Sequence, residues 1–598
     1  MALKDHQQNG SVCLWSLVMV IYLIVQSRWI SLTEADTIRC PSVCLCDNKE
    51  KFVMCQEKNL SHLPFPLPSE THILGLSQNH FTGLTSSMFI DTGLEESLQS
   101  LVLYDNRIAS IEPGSFLGLQ KLSNLWLFGN QLTTLEKGTF EGMNKLAELD
   151  LSRNYLVNIE DGTFDGLKKL EVLHLWGNKL KTLHTNAFQG LNSLSNLSLG
   201  DNKFEAVPSN AFPHLTNLSS LELLNLPIEK LQASAFVGLS NLKRLHIGDW
   251  PLTQIDEAAF AGLDNLRYLS LYRCNLIKVP QPQLSFLPHL KHLVLSNNKN
   301  IRSLKRDDFQ GNLELEDLFL SNIGLSTIHE SPFHLLTSVK NLDLSVNKLS
   351  VLPSHAFLQM EHLHSLNLSH NSIQSLSYPL FIPLSVLNNV DLQGNPLVCD
   401  CDIKWLRLLR EMRIKEQFTL KGQCSDPSIL AGKDIITLQT SKFICQAPVF
   451  HKNKTVIARI GSNVSLSCQP DEGVPTPKSI WTIKQTDHST HLVTKKDGTL
   501  FITKVKTSDY GAYTCEASNK LGSADLTVFL VEHVPVAQTS GGATTGILVG
   551  LTVIVVLVSV VVLYRRYGKG KFGSSLYDAM LGETENQRLS MKGLSKGA

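Results

Sequence analysis

The chain has 598 residues, 54 of them basic and 54 acidic, so its formal net charge at pH 7 is zero. That length predicts several domains, and the balanced charge removes the electrostatic case for a nucleic-acid binder. Twelve cysteines, most of them in compact groups, point to an oxidising compartment.

In chain order, Lys4 and the apolar run "CLWSLVMVIYLIV" (Cys13 to Val25) come first. The run has the length of a secretory signal core rather than of a spanning helix. Residues 1–35 are expected to be a signal peptide, cleaved near Ala35. Next, "CPSVCLCDNKEKFVMC" gathers Cys40, Cys44, Cys46 and Cys55, read as an N-terminal cysteine-rich cap over residues 40–68. The spacing alone also suits zinc, but the position between a signal peptide and a repeat boundary favours disulfides.

Residues 69–395 repeat the template LxxLxLxxN. Its last position falls at Asn79, Asn106, Asn130, Asn154, Asn178 and Asn202. It continues at Leu226, Trp250, Cys274, Asn298, Ile323, Asn347, Asn371 and Asn395. A phenylalanine returns in step from Phe116 to Phe260. A fixed period of this kind marks a solenoid, here a leucine-rich repeat array with a parallel inner sheet, a horseshoe of fourteen units. Each LxLxx segment is a strand whose leucines fill a core that one unit cannot close alone. The slot asparagine offers two donors and an acceptor, expected to bond its own turn and the next. Leu226, Trp250, Cys274 and Ile323 break that rule, and Cys274 is expected to be a buried, reduced thiol.

Cys399, Cys401, Cys424 and Cys445 define a C-terminal cap over residues 396–447. Over residues 448–532 the order Cys468, Trp481, Tyr513, Cys515 is that of an immunoglobulin sandwich, with Tyr513 at the tyrosine-corner position. Residues 533–545 read as a stalk. "GILVGLTVIVVLVSVVVLY" (546–564) is long enough to span a bilayer. Arg565, Arg566, Lys569 and Lys571 follow it, so residues 565–598 are a cytoplasmic tail. The chain is therefore expected to be a single-pass type I plasma-membrane protein with its N-terminus outside. Five cysteine pairs leave Cys274 alone, and each group of four allows three connectivities.

Cap, repeats, cap, one immunoglobulin domain and one span resemble the neuronal LRR–Ig membrane proteins, above all the LINGO family. The succession Leu226, Trp250 in "GDWPL", Cys274 in "CNLIKVP" carries the resemblance; the tail departs from it. The netrin-G ligands are the alternative, through "EAAFAGLDNLRYLSLYRCNL". The resemblance implies the pairs Cys40–Cys46, Cys44–Cys55, Cys399–Cys424, Cys401–Cys445 and Cys468–Cys515. It also implies a recognition receptor or co-receptor that binds protein ligands and forms homo-oligomers.

Function is carried by surfaces rather than by the fold. The positions between the repeat leucines face the concave side. They hold Tyr104, Trp126, Phe128, His174 and Trp176, and later Arg244, His246, Tyr268, Tyr272, Arg273, His292 and Phe319. Aromatics and arginine dominate protein interfaces; the bland alternative is that these rings pack on one another as filler. Sequons fall at Asn59, Asn196, Asn217, Asn367, Asn453 and Asn463, two of them on the concave side. No nucleophile elbow, zinc helix, phosphate loop or kinase signature occurs, so no enzyme, cofactor or metal is expected. An innate-immune pattern receptor acting through a co-receptor is the third reading. In the tail, Tyr577 and Met580 form a YxxM sequence, a candidate phosphotyrosine or sorting signal.

Overall fold

The computed structural model describes residues 40–533, apart from 48, 329–330, 413–417, 483–491 and 496–497. The expected signal peptide, spanning segment and tail, with Tyr577 and Met580, and all but the first residue of the stalk, lie outside these residues. Among the described residues no helix is long and apolar enough to cross a membrane.

One strand per slot forms a continuous parallel ladder from Ile73–Gly75 to Asn389–Asp391. The pairing is strictly in phase: Leu101 faces Leu125, and Leu125 faces Leu149. Phase follows from the period, because a one-residue slip exchanges the two faces. Phe52–Met54 joins the first repeat strand in parallel and pairs antiparallel with Leu45–Asp47. Thr419–Lys421 closes the far edge. The leucines beneath the sheet are fully buried. Opposite them the phenylalanines stack in a spine, with centroids 6.3 Å apart from Phe116 to Phe140 and 6.1 Å from Phe140 to Phe164.

The slot asparagines stitch each repeat to the one before it, not to the next. Asn130 Nδ2 donates to Leu103 O at 3.0 Å and to Leu127 O at 2.9 Å, and Asn130 Oδ1 accepts from Ile108 N–H at 3.0 Å. The residue ahead of every slot, from Gln78 to Gly394, turns the chain with φ between +50° and +71°. That conformation favours Gly, Asn and Asp, which fill nine of these positions.

Three of the four irregular slots have a backbone explanation. Strands ahead of regular slots are three residues long, but Ser220–Leu224, Arg244–Gly248 and Tyr268–Tyr272 have five. The ladder itself, pairing Leu223 with Ile247 and Leu224 with Gly248, carries backbone groups there. Trp250 Nε1 also donates to Leu223 O at 2.6 Å, the carbonyl that an asparagine would take. Cys274 Sγ lies 3.4 Å from Tyr272 O, and Asn298 Oδ1 accepts from both Cys274 N–H and Leu276 N–H. Asn347 does the same for Ile323 and Leu325, although the strand ahead of Ile323 keeps three residues.

Cys40–Cys46 and Cys44–Cys55 are bonded ahead of the repeats, and Cys399–Cys424 and Cys401–Cys445 behind them. Such caps cover the apolar ends of a solenoid.

The C-terminal strands form a sandwich. One sheet joins Lys454–Ala458, Gly522–Glu532, Gly511–Asn519 and Lys478–Thr482; the other joins Val464–Ser467, Thr499–Ile502 and Leu492–Thr494. The Cys468–Cys515 disulfide and Trp481 are buried. Tyr513 Oη donates to Asp509 O at 2.6 Å, which closes the tyrosine corner.

Candidate functional site

The face of the parallel sheet that looks away from the core presents an ordered array of outward side chains. In each repeat the first and third residues of the strand, and the residue two further along the chain, fall on this face, so side chains line up in three columns across repeats, the first, third and fifth.

In the early repeats Tyr104 and Phe128 stack at 4.5 Å with planes 8° apart. Trp126 Nε1 donates to Glu148 Oε1 at 3.0 Å. His174 lies beside Asp150 by register, and the Arg153 guanidinium sits 5.3 Å from the Trp176 ring. Later, His246 and Tyr268 stand 4.6 Å apart and Tyr268 and His292 6.2 Å apart. His292 Nδ1 pairs with Asp317. Phe319 lies between Val294 and Asp343, and Arg244 is exposed beside Tyr268. Arg273 differs from expectation: it follows the strand Tyr268–Tyr272 in the positive-φ turn, pairs with Asp249, and lies 5.2 Å from the Tyr272 ring. The rings thus form ladders by packing on one another, yet all stay half-buried and keep surface for a partner.

Two glycines widen the fifth column. A Cβ on Gly200 would lie 2.6 Å from Leu224 O and 2.8 Å from Trp176 Cδ1, and one on Gly248 would lie 2.8 Å from Leu224 Cδ2. Trp176 and Leu224 therefore spread over glycine floors, which only the large–small alternation along the column could have signalled.

The third column holds carboxylates that pattern reading passed over. Burial pushes Asp150, Glu222 and Asp343 above the usual carboxylate range, opposed at Asp150 and Glu222 by His174. Asp343 Oδ1 accepts from Ser345 N–H at 2.9 Å, and its neighbour Asn367 makes the same bond to Ser369 N–H at 3.1 Å. Asparagine therefore fits this position. Because the folded Asp343 holds its proton above the unfolded value of 3.8, its ionisation destabilises the fold as pH rises. Asp343→Asn is expected to raise the melting temperature at pH 7.5, and the gain should shrink as pH falls toward 3.8. A melting temperature unchanged at pH 7.5 contradicts this.

Of the sequons, Asn59, Asn217, Asn453 and Asn463 are exposed, while Asn196 and Asn367 are half-buried on the open sheet face. Among the described residues Cys401, Asp402 and Cys445 bring potential metal-ligand atoms together. The two sulfurs are bonded to each other, so no thiolate is left to bind a metal.

The "Leucine rich repeat" family model matches overlapping segments from residue 69 to 277 and from 288 to 397, and the "Immunoglobulin domain" model matches residues 448–519. A human protein named "Probable oxidoreductase PXDNL" is 34% identical over 138 residues, which is 22% of this chain and 9% of that protein. Mouse "Leucine-rich repeat and fibronectin type-III domain-containing protein 5" is 31% identical over 141 residues, 23% of this chain and 19% of that protein. "Endothelial cell-selective adhesion molecule" of Macaca fascicularis is 34% identical over 143 residues, 23% of this chain and 36% of that protein. The chain thus matches 9% to 36% of the length of these relatives. Among solved structures, a TLR13–ssRNA13 complex has a TM-score of 0.46 at 22% identity, covering 62% of this chain and 60% of that one. With the repeat model over more than half of its length and an immunoglobulin domain behind it, this chain belongs to the leucine-rich repeat family, as an LRR–Ig protein.

Proposed function

We propose that this protein is a non-enzymatic, single-pass cell-surface adhesion or recognition receptor of the LINGO type, binding protein ligands through the open sheet face and the immunoglobulin domain. The half-exposed ladder His246–Tyr268–His292 between the sequons Asn196 and Asn367 carries the reading. Aromatic anchors ringed by polar groups are what protein hot spots are made of. Glycans at the two sequons would confine a partner to the strands between them. The likeness to a probable oxidoreductase spans 9% of that protein and does not bring its chemistry here. Neuronal context and homo-oligomerisation rest on the LINGO resemblance.

The test is an interaction screen with the full-length chain displayed on cells against neuronal ectodomains, netrin-G-type ligands and microbial ligands. Tyr268→Ala is expected to weaken a neuronal protein partner about 30-fold, the scale of a 2 kcal/mol hot spot. Binding confined to microbial ligands would replace this reading with the pattern-receptor one. Partner binding unaffected by Tyr268→Ala would move the site elsewhere.

A further inference from the structure

Beside the aromatic ladder, the residue just ahead of each strand forms a rim. In three successive repeats it is Lys243, Arg267 and Lys291. The backbone sets them in step: Arg267 N–H donates to Lys243 O at 2.9 Å, and Lys291 N–H to Arg267 O at 2.9 Å. Arg244, first on its strand, adds a fourth cation between Lys243 and Tyr268.

These cations are not equivalent. Lys291 is committed: Glu316 lies 2.6 Å from it and 2.6 Å from Lys340, bridging the two. Lys243, Arg244 and Arg267 are exposed and make no ion pair among the described residues. In the preceding repeat the equivalent positions are the small, uncharged Ser219 and Ser220. The result is an isolated patch of three unneutralised charges, ended by serines on one side and by the Lys291–Glu316–Lys340 bridge on the other. The chain as a whole carries no net charge, so the patch is a local feature rather than part of a basic surface.

We propose that Lys243, Arg244 and Arg267 bind a sulfated glycosaminoglycan chain. Charge complementarity calls for a polyanion, and the geometry selects its form. The row crosses the strands, advancing about 4.8 Å per repeat, so an extended anionic polymer lying along the stacking direction meets successive cations. Two of the three are arginines, whose planar donor forks match the oxygens of a sulfate in pairs. All three are solvent-exposed, which suits many weak ionic contacts better than the buried anchors of a protein interface. The proposal is independent of the identity of any protein partner, and its failure leaves the protein-binding ladder untouched.

The test uses the full-length chain, purified in detergent, on immobilised heparin. The variant Lys243→Gln, Arg244→Gln, Arg267→Gln is expected to lose roughly tenfold or more in affinity, as three charge-assisted contacts disappear. Its melting temperature should stay at the wild-type value, since exposed substitutions rarely disturb the fold. A control, Lys145→Gln, Lys168→Gln, Lys169→Gln, removes the same charge from exposed loop lysines and is expected to change affinity by about twofold at most. Desulfated heparin and poly-glutamate should fail to compete. Equal losses in both variants mean diffuse attraction and overturn the site. Competition by poly-glutamate as strong as by heparin makes the partner an acidic protein and overturns the sulfated glycan. Absence of wild-type binding overturns both.

Discussion

Replacing Asn178 with leucine is expected to lower stability by about 3 kcal/mol or more. Asn178 Nδ2 donates to Leu151 O at 3.0 Å and Leu175 O at 3.1 Å, and its Oδ1 accepts from Leu156 N–H at 3.0 Å. Leucine fills the space but leaves the buried Leu156 N–H without a partner, at about 1–3 kcal/mol, and removes one of the two donors to Leu151 O and to Leu175 O, at about 0.5–1.5 kcal/mol each; Asn154 and Asn202 keep the other. The same side chain is accepted at Leu226 because the strand ahead of it runs on to Leu224 and pairs along its whole length. At Asn178 the strand stops at His174. Since a solenoid is held by neighbour contacts, the defect should also loosen the repeats on either side. Thermal melting of the full-length chain, with amide hydrogen exchange by peptide, reads both effects. A melting curve that overlays the wild type, with unchanged exchange around residues 151–178, contradicts the role assigned to the asparagine.

Cys274→Arg should be the most damaging single change at the irregular slots, by about 3–5 kcal/mol, because it buries a charge in a slot sized for a thiol, and Asp249, the carboxylate whose charge reaches this slot, is already paired with Arg273. Cys274 is fully buried. Cys274→Ser should cost about 1 kcal/mol, since a hydroxyl can take over the contact with Tyr272 O. Burial pushes the thiol up to about 12, so at neutral pH almost no nucleophilic thiolate exists. Iodoacetamide should therefore label Cys274 only after unfolding. Rapid labelling of the native protein, or an intermolecular disulfide at Cys274, would contradict a sealed slot.

The period, the strand positions, the phenylalanine spine and the order Cys–Trp–Tyr–Cys were legible because each depends on residue type at fixed spacing. Asn130 shows where that ends. Its amide chemistry was readable, but its bonds reach back to Leu103 and Ile108 rather than onward. A repeat looks the same in both directions until its strands are stacked. Trp250 was readable as a donor, and its acceptor, Leu223 O, belongs to another repeat. Asp343 occupies an outward position by alternation, yet it is buried. Depth on a sheet face is set by the neighbours' side chains, which periodicity ignores. Arg273 is an intervening position by sequence, and the positive φ that takes it off the strand has no signature in its residue type.

The backward reach of the slot asparagines gives the array a direction in time. A chain entering an extracytoplasmic space does so N-terminus first, and the cap disulfides Cys40–Cys46 and Cys44–Cys55 span only 6 and 11 residues, so they need nothing that arrives later. Each following repeat emerges with an N–H still open and a carbonyl held only by its own asparagine, and the asparagine about one period downstream completes both, as Asn154 does for Leu132 N–H and Leu127 O. Assembly from the N-terminus would thus resemble a zipper whose slider trails the newest repeat by one. The separation of 44 residues between Cys401 and Cys445 delays the final clasp until the ladder behind it can be complete. A pause in synthesis within the array would leave one unfinished repeat at the growing edge, with the finished ones behind it already closed.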